Sequence, residues 1–237
     1  MKKSLLLLST GACLTLASNA VVLSAWTFET NTPADLTDSA LGPAVTAEAG
    51  LFTTGYTAQG THASAVSDWS TPAGNGSANS YSVNTWAVGD YMQYATSSTG
   101  YTDITITFDH VSSGTGPRDF EIFYSTNGTV YTSTGISYDT FQSSNVGTNA
   151  FSFGSWNSTT AISNYSYSVD LSGLPALDNQ ATLFFRFLLT STATPSGGVL
   201  SAGGTSRMDN VVINAVPEPT IAFLGSLGMF GLLRRRR

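Results

Sequence analysis

Between residues 21 and 214 apolar and polar side chains alternate in short runs broken by turn residues, and no stretch sustains the period of a helix. Residues 21–28 form an apolar and aromatic run that predicts a first strand. Ile104, Ile106 and Phe108 alternate with Thr105, Thr107 and Asp109, the pattern of a strand with one buried face. Phe120, Ile122 and Tyr124 alternate with Glu121, Phe123 and Ser125. Asn127-Gly128 follows, and its tolerance of positive φ predicts a type I′ hairpin into residues 130–133. Tyr165, Tyr167, Val169 and Leu171 repeat the alternation. Residues 183–189 are apolar except for Arg186, which predicts a strand covered on both faces. Residues 207–214 close the series, with Val211 and Ile213 on one face and Val212 on the other. Turn clusters at 112–117, 192–198 and 203–206 separate the strands. These elements predict an all-β fold, an antiparallel two-sheet β-sandwich of jelly-roll type, because stacking two sheets buries one face of each.

Two end segments break this pattern. Residues 1–20 have the layout of a secretory signal peptide: Lys2 and Lys3, an apolar stretch over 5–16, and Ser18-Asn19-Ala20 as a small-residue cleavage site. Cleavage after Ala20 is preferred to cleavage after Ala25, which would remove the start of the first strand. Cys13 does not read as a lipoprotein cysteine, since the residues before it lack the usual leucine and the apolar run continues past it. At the other end, Val216, Pro217, Glu218 and Pro219 lead into an apolar run over 221–233, then Arg234, Arg235, Arg236 and Arg237. The prolines fix an extended segment and cannot enter a helix. Thirteen apolar residues make a helix of roughly 20 Å, short for a hydrocarbon core of about 30 Å. The run predicts a short hydrophobic helix in a compressed bilayer, with the arginines kept cytoplasmic as a stop and the body outside. The chain thus divides into a signal peptide at 1–20, a sandwich domain at 21–214 and a sorting or anchor segment at 215–237.

The ordered Pro-Glu-Pro motif, Gly-containing apolar run and terminal arginines resemble the PEP-CTERM sorting signal of Gram-negative bacteria. That resemblance implies export and signal-peptidase removal of the leader. It also implies transient anchoring in the membrane through the C-terminal segment and processing near the motif by an exosortase-type membrane protease. Delivery would be to the cell surface or an extracellular polymeric matrix. The runs at 89–101 and 103–128, GDYMQYATSSTGY and DITITFDHVSSGTGPRDFEIFYSTNG, resemble the bodies of many such surface proteins, which are similar to carbohydrate-binding jelly-roll domains.

Composition narrows the chemistry. The body contains no cysteine, which excludes disulfides, thiol catalysis and Cys-ligated metal. Its only basic residues besides histidine are Arg118, Arg186 and Arg207, against fourteen acids, so it will repel nucleic-acid phosphates. Abundant Ser, Thr, Gly and Asn could mean disorder, but Tyr, Phe and Trp recur throughout, and a disordered chain is depleted in them. Gly114, Gly116 and Pro117 predict a tight loop that an Arg118–Asp119 pair could order.

Catalytic patterns are missing. His62 and His110 are the only histidines and neither has ligand spacing; no nucleophile elbow or dinucleotide fingerprint occurs. Asp119 and Glu121 share a strand face, yet an exposed pair beside Arg118 is the better reading than a glycosidase pair. A non-catalytic protein is expected. Two binding expectations remain. For polysaccharide, Trp69, Trp86, Tyr91, Tyr94, Tyr101 and Trp156 fall in or near loops, and Trp86, flanked by Asn84 and Asp90, is chosen as the ring that stacks on a sugar. The competing reading is a structural or adhesion protein of the matrix with no sugar site, and a third is an unrecognised glycan hydrolase. For calcium, Glu29 at the end of the first strand and Asp209 at the start of the last would share a corner, and WTFE with RMDNVV resembles calcium sites of carbohydrate-binding jelly rolls. The alternative there is a salt bridge from Arg207 to Glu29 or Asp209.

Overall fold

The computed structural model describes residues 19–142 and 156–218. Most of the leader with Cys13, the apolar run at 221–233, Pro219 and the four terminal arginines lie outside the described residues. Thirteen strands follow in order: β1 (Val21–Trp26), β2 (Val45–Thr46), β3 (Thr57–Thr61), β4 (Trp69–Ser70), β5 (Tyr81–Val83), β6 (Tyr91–Thr96), β7 (Tyr101–Ser112), β8 (Asp119–Ser125), β9 (Thr132–Asp139), β10 (Phe141–Gln142), β11 (Ser166–Asp170), β12 (Leu183–Leu189) and β13 (Ser206–Pro217). The only helical turns among the described residues are two 3-10 pieces, Ser163–Tyr165 and Pro175–Leu177, and no helix among them is long and apolar enough to cross a membrane.

The strands form two sheets packed face to face, an all-β two-sheet sandwich. In the seven-stranded sheet the long strands β7 and β13 lie side by side; β10 and β11 flank β7, while β1, β5 and β4 lie beyond β13. The six-stranded sheet runs β2-β3-β6-β12-β8-β9. Every named strand pairing is antiparallel except β10 with β7. One contiguous core lies between the sheets, from Leu23 to Ala215, dominated by Trp26, Trp69, Tyr81, Tyr94, Phe108, Phe120, Phe185 and Phe187. Three of its large rings have their polar ends satisfied by backbone: Trp26 Nε1 donates to Val45 O (3.0 Å), Trp69 Nε1 to Ser39 O (2.8 Å) and the Tyr81 hydroxyl to Pro43 O (2.7 Å). Gly60 has to be bare for this packing, because a Cβ there would sit 2.2 Å from the Trp69 ring.

Several sequence expectations need correction in detail. β12 is covered on one face only: Leu183, Phe185, Phe187 and Leu189 are fully buried, whereas Phe184, Arg186 and Leu188 are half-buried on the outside. The hairpin after β8 forms, but not as a type I′ turn. Gly128 has φ 72° while Asn127 does not enter the left-handed region. Instead the Asn127 side chain accepts from the Thr129 and Val130 N–H groups (2.9 Å each), which lengthens the loop to residues 126–131. β1 stops at Trp26, short of the expected residue 28, because Phe28 turns left-handed (φ 58°). There Glu48 gathers the N–H groups of Thr27 (2.6 Å), Thr30 (2.8 Å) and Asn31 (2.8 Å). Burial raises the Glu48 pKa, but these bonds, with that of the Thr27 hydroxyl, outweigh it and hold the carboxyl below its ordinary value. At the other end β13 continues three residues past Asn214. Ala215, Val216 and Pro217 are strand residues, so the first two residues of the Val-Pro-Glu-Pro run are built into the sheet.

Candidate functional site

The outward face of the six-stranded sheet gathers chemistry that the alternation of β12 alone would leave scattered. Strand register places Gln59, Gln93, Arg186, Phe123 and Ser133 in one row across β3, β6, β12, β8 and β9. The adjacent row is Thr61, Tyr91, Leu188, Glu121 and Ser137. Among these Tyr91, Gln93, Arg186, Leu188, Phe123 and Glu121 are half-buried, so the face is accessible and partly apolar. The Arg186 guanidinium carbon lies 3.9 Å from the Tyr91 ring centroid and 3.3 Å from that of Tyr131, over both rings. Its Nε donates to Gln93 Oε1 (2.9 Å), which also accepts from the Tyr131 hydroxyl (2.7 Å). Among the described residues no ion pair involves Arg186. Burial raises the Tyr131 pKa, against the opposing pull of Arg186. Glu121, on the same face, accepts from the Ser133 hydroxyl.

Of the aromatic residues picked from the sequence, only Tyr91 belongs to this face. Trp86 needs correction as a stacking platform. It is 6% exposed, its ring sits 4.5 Å from the His62 ring and 5.5 Å from Phe120, and its Nε1 donates to Val83 O (3.0 Å). A ring held in this way has no open face for a sugar. Its neighbours are equally committed. Asp90 is buried and accepts from the N–H groups of Ala63 and Ala87 (2.7 Å each). Burial pushes its carboxyl up despite these bonds. Asn84 accepts from Asp68 N (2.8 Å) and donates to the Asp68 carboxylate (3.2 Å). Trp69, Tyr94 and Trp156 are buried as well, and Tyr101 packs edge-on against Phe52.

Neither histidine is placed for acid-base chemistry on a surface substrate. His62 Nδ1 shares a hydrogen bond with Ser67 Oγ (3.0 Å) and lies 3.5 Å from Asp90. His110 is bound on both nitrogens, by the Tyr138 hydroxyl (2.9 Å) and Ser206 Oγ (2.6 Å). Burial lowers their pKa values to about 4 and about 3 respectively. Asp119 is held by Arg118, as the sequence suggested, and by Ser191. Burial raises its pKa, but these bonds and the Arg118 charge bring it below the ordinary carboxylate range.

Glu29 and Asp209 do meet the same loop. Glu29 Oε1 accepts from Asn79 N (2.8 Å), and Asp209 Oδ2 accepts from Asn75 N (2.9 Å), Ser77 Oγ (2.6 Å) and Asn210 Nδ2 (3.1 Å), while Asp209 Oδ1 accepts from Asn210 N (2.8 Å). Calcium asks for about six to eight oxygen ligands. Here the Asp209 oxygens are already taken by protein donors, and no cluster of three His, Cys, Asp or Glu side chains among the described residues could hold an ion. This donor set, as arranged, does not fit the metal. The salt-bridge alternative is corrected too, since no ion pair joins Arg207 to Glu29 or Asp209 among the described residues. Burial, with a further push from Asp109, raises Asp209 to about 6 against the bonds from Ser77, Asn75 and Asn210.

The sequence missed this face because its polar members are spread over β3, β6, β8, β9 and β12. Arg186, the one charge in an apolar run, was the available signal, together with the Tyr91-Gln93 alternation.

No family model matches the chain, and no curated protein does. Among solved structures it is similar to the K3 cleaved adhesin domain of Lys-gingipain from Porphyromonas gingivalis W83 at 15% identity and a TM-score of 0.41, over 81% of this chain and 98% of that one. It is similar to the K2 adhesin domain of Lys-gingipain at 16% identity and a TM-score of 0.39, over 80% and 96%. A structure described as "CBM4 structure and function" shares 10% identity at a TM-score of 0.31, over 81% and 84%. The architecture described above rests on this chain's own strand pairing.

Proposed function

We propose that this chain is an exported, non-catalytic protein of the cell surface or extracellular matrix that binds polysaccharide on the outward face of its six-stranded sheet. The observation that carries the binding reading is Arg186, laid over Tyr91 and Tyr131 and fastened to Gln93. A cation pre-set on aromatic rings loses little side-chain freedom when a ligand arrives. Its terminal nitrogens are donors suited to sugar oxygens, and Phe123, its neighbour in the same row, adds flat apolar surface beside them. Of the body's three arginines, Arg118 is engaged by Asp119, while Arg186 has no acid partner among the described residues of a domain that carries fourteen acids. The purified full chain, in detergent, should be retained on at least one member of a panel of neutral and uronate polysaccharides. Arg186→Gln and Tyr131→Ala should each weaken retention by about tenfold, ~1.4 kcal/mol. Retention unchanged in both variants, or none by the parent chain, would favour a structural matrix protein without a sugar site. Release of reducing ends that Glu121→Gln abolishes would revive a glycan hydrolase.

The route to the surface follows from the two end segments: signal peptidase acts at the leader, and an exosortase-type protease acts near Pro217-Glu218-Pro219 after transient anchoring in a Gram-negative membrane. Alanine at all three positions should leave full-length protein in the membrane fraction, read by immunoblot against the parent. Normal processing of that variant would refute the sorting reading.

A further inference from the structure

We infer that the end of the sandwich from which the last strand leaves rests on a lipid surface while the chain is anchored. This deepens the sorting reading, since it depends on the run at 221–233 entering a membrane. Pro217 pairs with Tyr101, and Glu218 N donates to Gly100 O (2.9 Å), so the backbone is stitched to the sheet through Glu218. Three residue steps separate Glu218 from Ile221. Fully extended, they reach about 11 Å at most. The polar layer on each side of a bilayer is roughly 5–7 Å thick, half the difference between about 40–45 Å overall and an apolar core of about 30 Å. Even at full reach this tether leaves at most about 6 Å between the body and the headgroups, so this end of the sandwich is held within contact range of the lipid surface.

The end that this tether presents is apolar and aromatic. Leu51 is 55% exposed and is held beside the first strand by its N–H bond to Val22 O (3.2 Å). Phe52 binds Leu23 O through its N–H (2.8 Å), and its ring meets Tyr56 at 5.9 Å and Tyr101 at 6.4 Å, edge to face in both cases. Rings with an apolar body and a polar tip suit the membrane-water boundary. The charges nearby select the lipid. Asp103, Asp178 and Glu218 lie at this end. Arg118 precedes β8 at the opposite end, Arg186 lies on the sheet face and Arg207 opens β13 far from Pro217. An end with carboxylates and, among the described residues, no arginine avoids anionic headgroups and settles on zwitterionic ones.

The test uses the chain as cleavage after Ala20 leaves it, residues 21–237, which contains no cysteine, carrying a single new cysteine at Leu51 or, as a control at the opposite end, at Val199, which is 73% exposed. Each is labelled with a fluorophore and reconstituted into phosphatidylcholine vesicles containing a headgroup-level quencher. The Leu51→Cys label should be quenched several-fold more than the Val199→Cys label. Equal quenching at both positions in vesicle-bound protein would overturn the docking and leave the anchoring reading intact. Flotation no better than that of a chain ending at Glu218 would overturn the anchoring reading, and the docking with it.

Discussion

Trp86 shows how an aromatic residue in a Gly-containing turn can belong to the core rather than to a ligand. Its ring lies between His62 and Phe120, and its indole N–H is spent on Val83 O. Removing it should therefore act on stability. Trp86→Ala should cost about 3–5 kcal/mol, the usual range for emptying a large buried ring site, read as a drop in the urea midpoint. At temperatures where the variant remains folded, retention on polysaccharide should match that of the parent. A variant of unchanged stability with lost retention would return Trp86 to the binding surface. Arg186 is the opposite case at the same scale. Its surroundings are two rings and an amide rather than a carboxylate, and its effect belongs to the ligand.

At the scale of elements, the legible strands were those whose own sequence alternates. Ile104, Ile106 and Phe108 face the core in β7 as their spacing requires, and Phe120 and Ile122 do so in β8. The short strands β2, β4 and β5 were not legible, because two or three residues carry no period and are defined by what they pair with. β6 was read as loop aromatics, since YMQY resembles a turn-proximal cluster until β12 and β3 are set on either side of it. β12 misled differently. A run such as LFFRFLL has the hydrophobicity of a strand buried on both faces, but the described residues leave the outer face of this sheet uncovered, and Phe184 and Leu188 stay half-exposed around Arg186. That mismatch between an apolar run and an open face is what marks the candidate site. No local pattern in the sequence could show it, because the row from Gln59 to Ser133 exists only once five strands are in register.

At the scale of the whole molecule, the two histidines share one end of the core and are joined through rings: His62 meets Trp86 at 4.5 Å, Trp86 meets Phe120 at 5.5 Å and Phe120 meets His110 at 4.7 Å. Asp90 faces His62 at 3.5 Å and would favour its charged form, yet burial wins; the Tyr138 and Ser206 hydroxyls face His110. Both folded pKa values lie below the ordinary 6.5, at about 4 and about 3. The unfolded chain therefore binds protons first as pH falls. The stability due to the neutral histidines is complete above pH 6.5 and is lost from 6.5 down to about 4 for His62 and about 3 for His110. Asp209 works in the other direction. Its folded pKa, raised from 3.8 to about 6, makes its charge a cost at neutral pH that is relieved in acid. Asp90, raised by burial, adds to that relief, while Glu48 and Asp119, held low, act against it; among the three groups with the largest shifts, two histidines outweigh one carboxylate. At about 1.4 kcal/mol per unit, the net expectation is a loss of roughly 3 kcal/mol between pH 7 and pH 4.5. Urea unfolding at those two pH values measures it. Replacing His110 with Gln should flatten the profile in that window even if it lowers stability at pH 7, because the variant has one fewer group to protonate on unfolding. A parent chain whose unfolding free energy is flat or rises toward pH 4.5 would show that the buried histidines do not govern the acid limit of this sandwich.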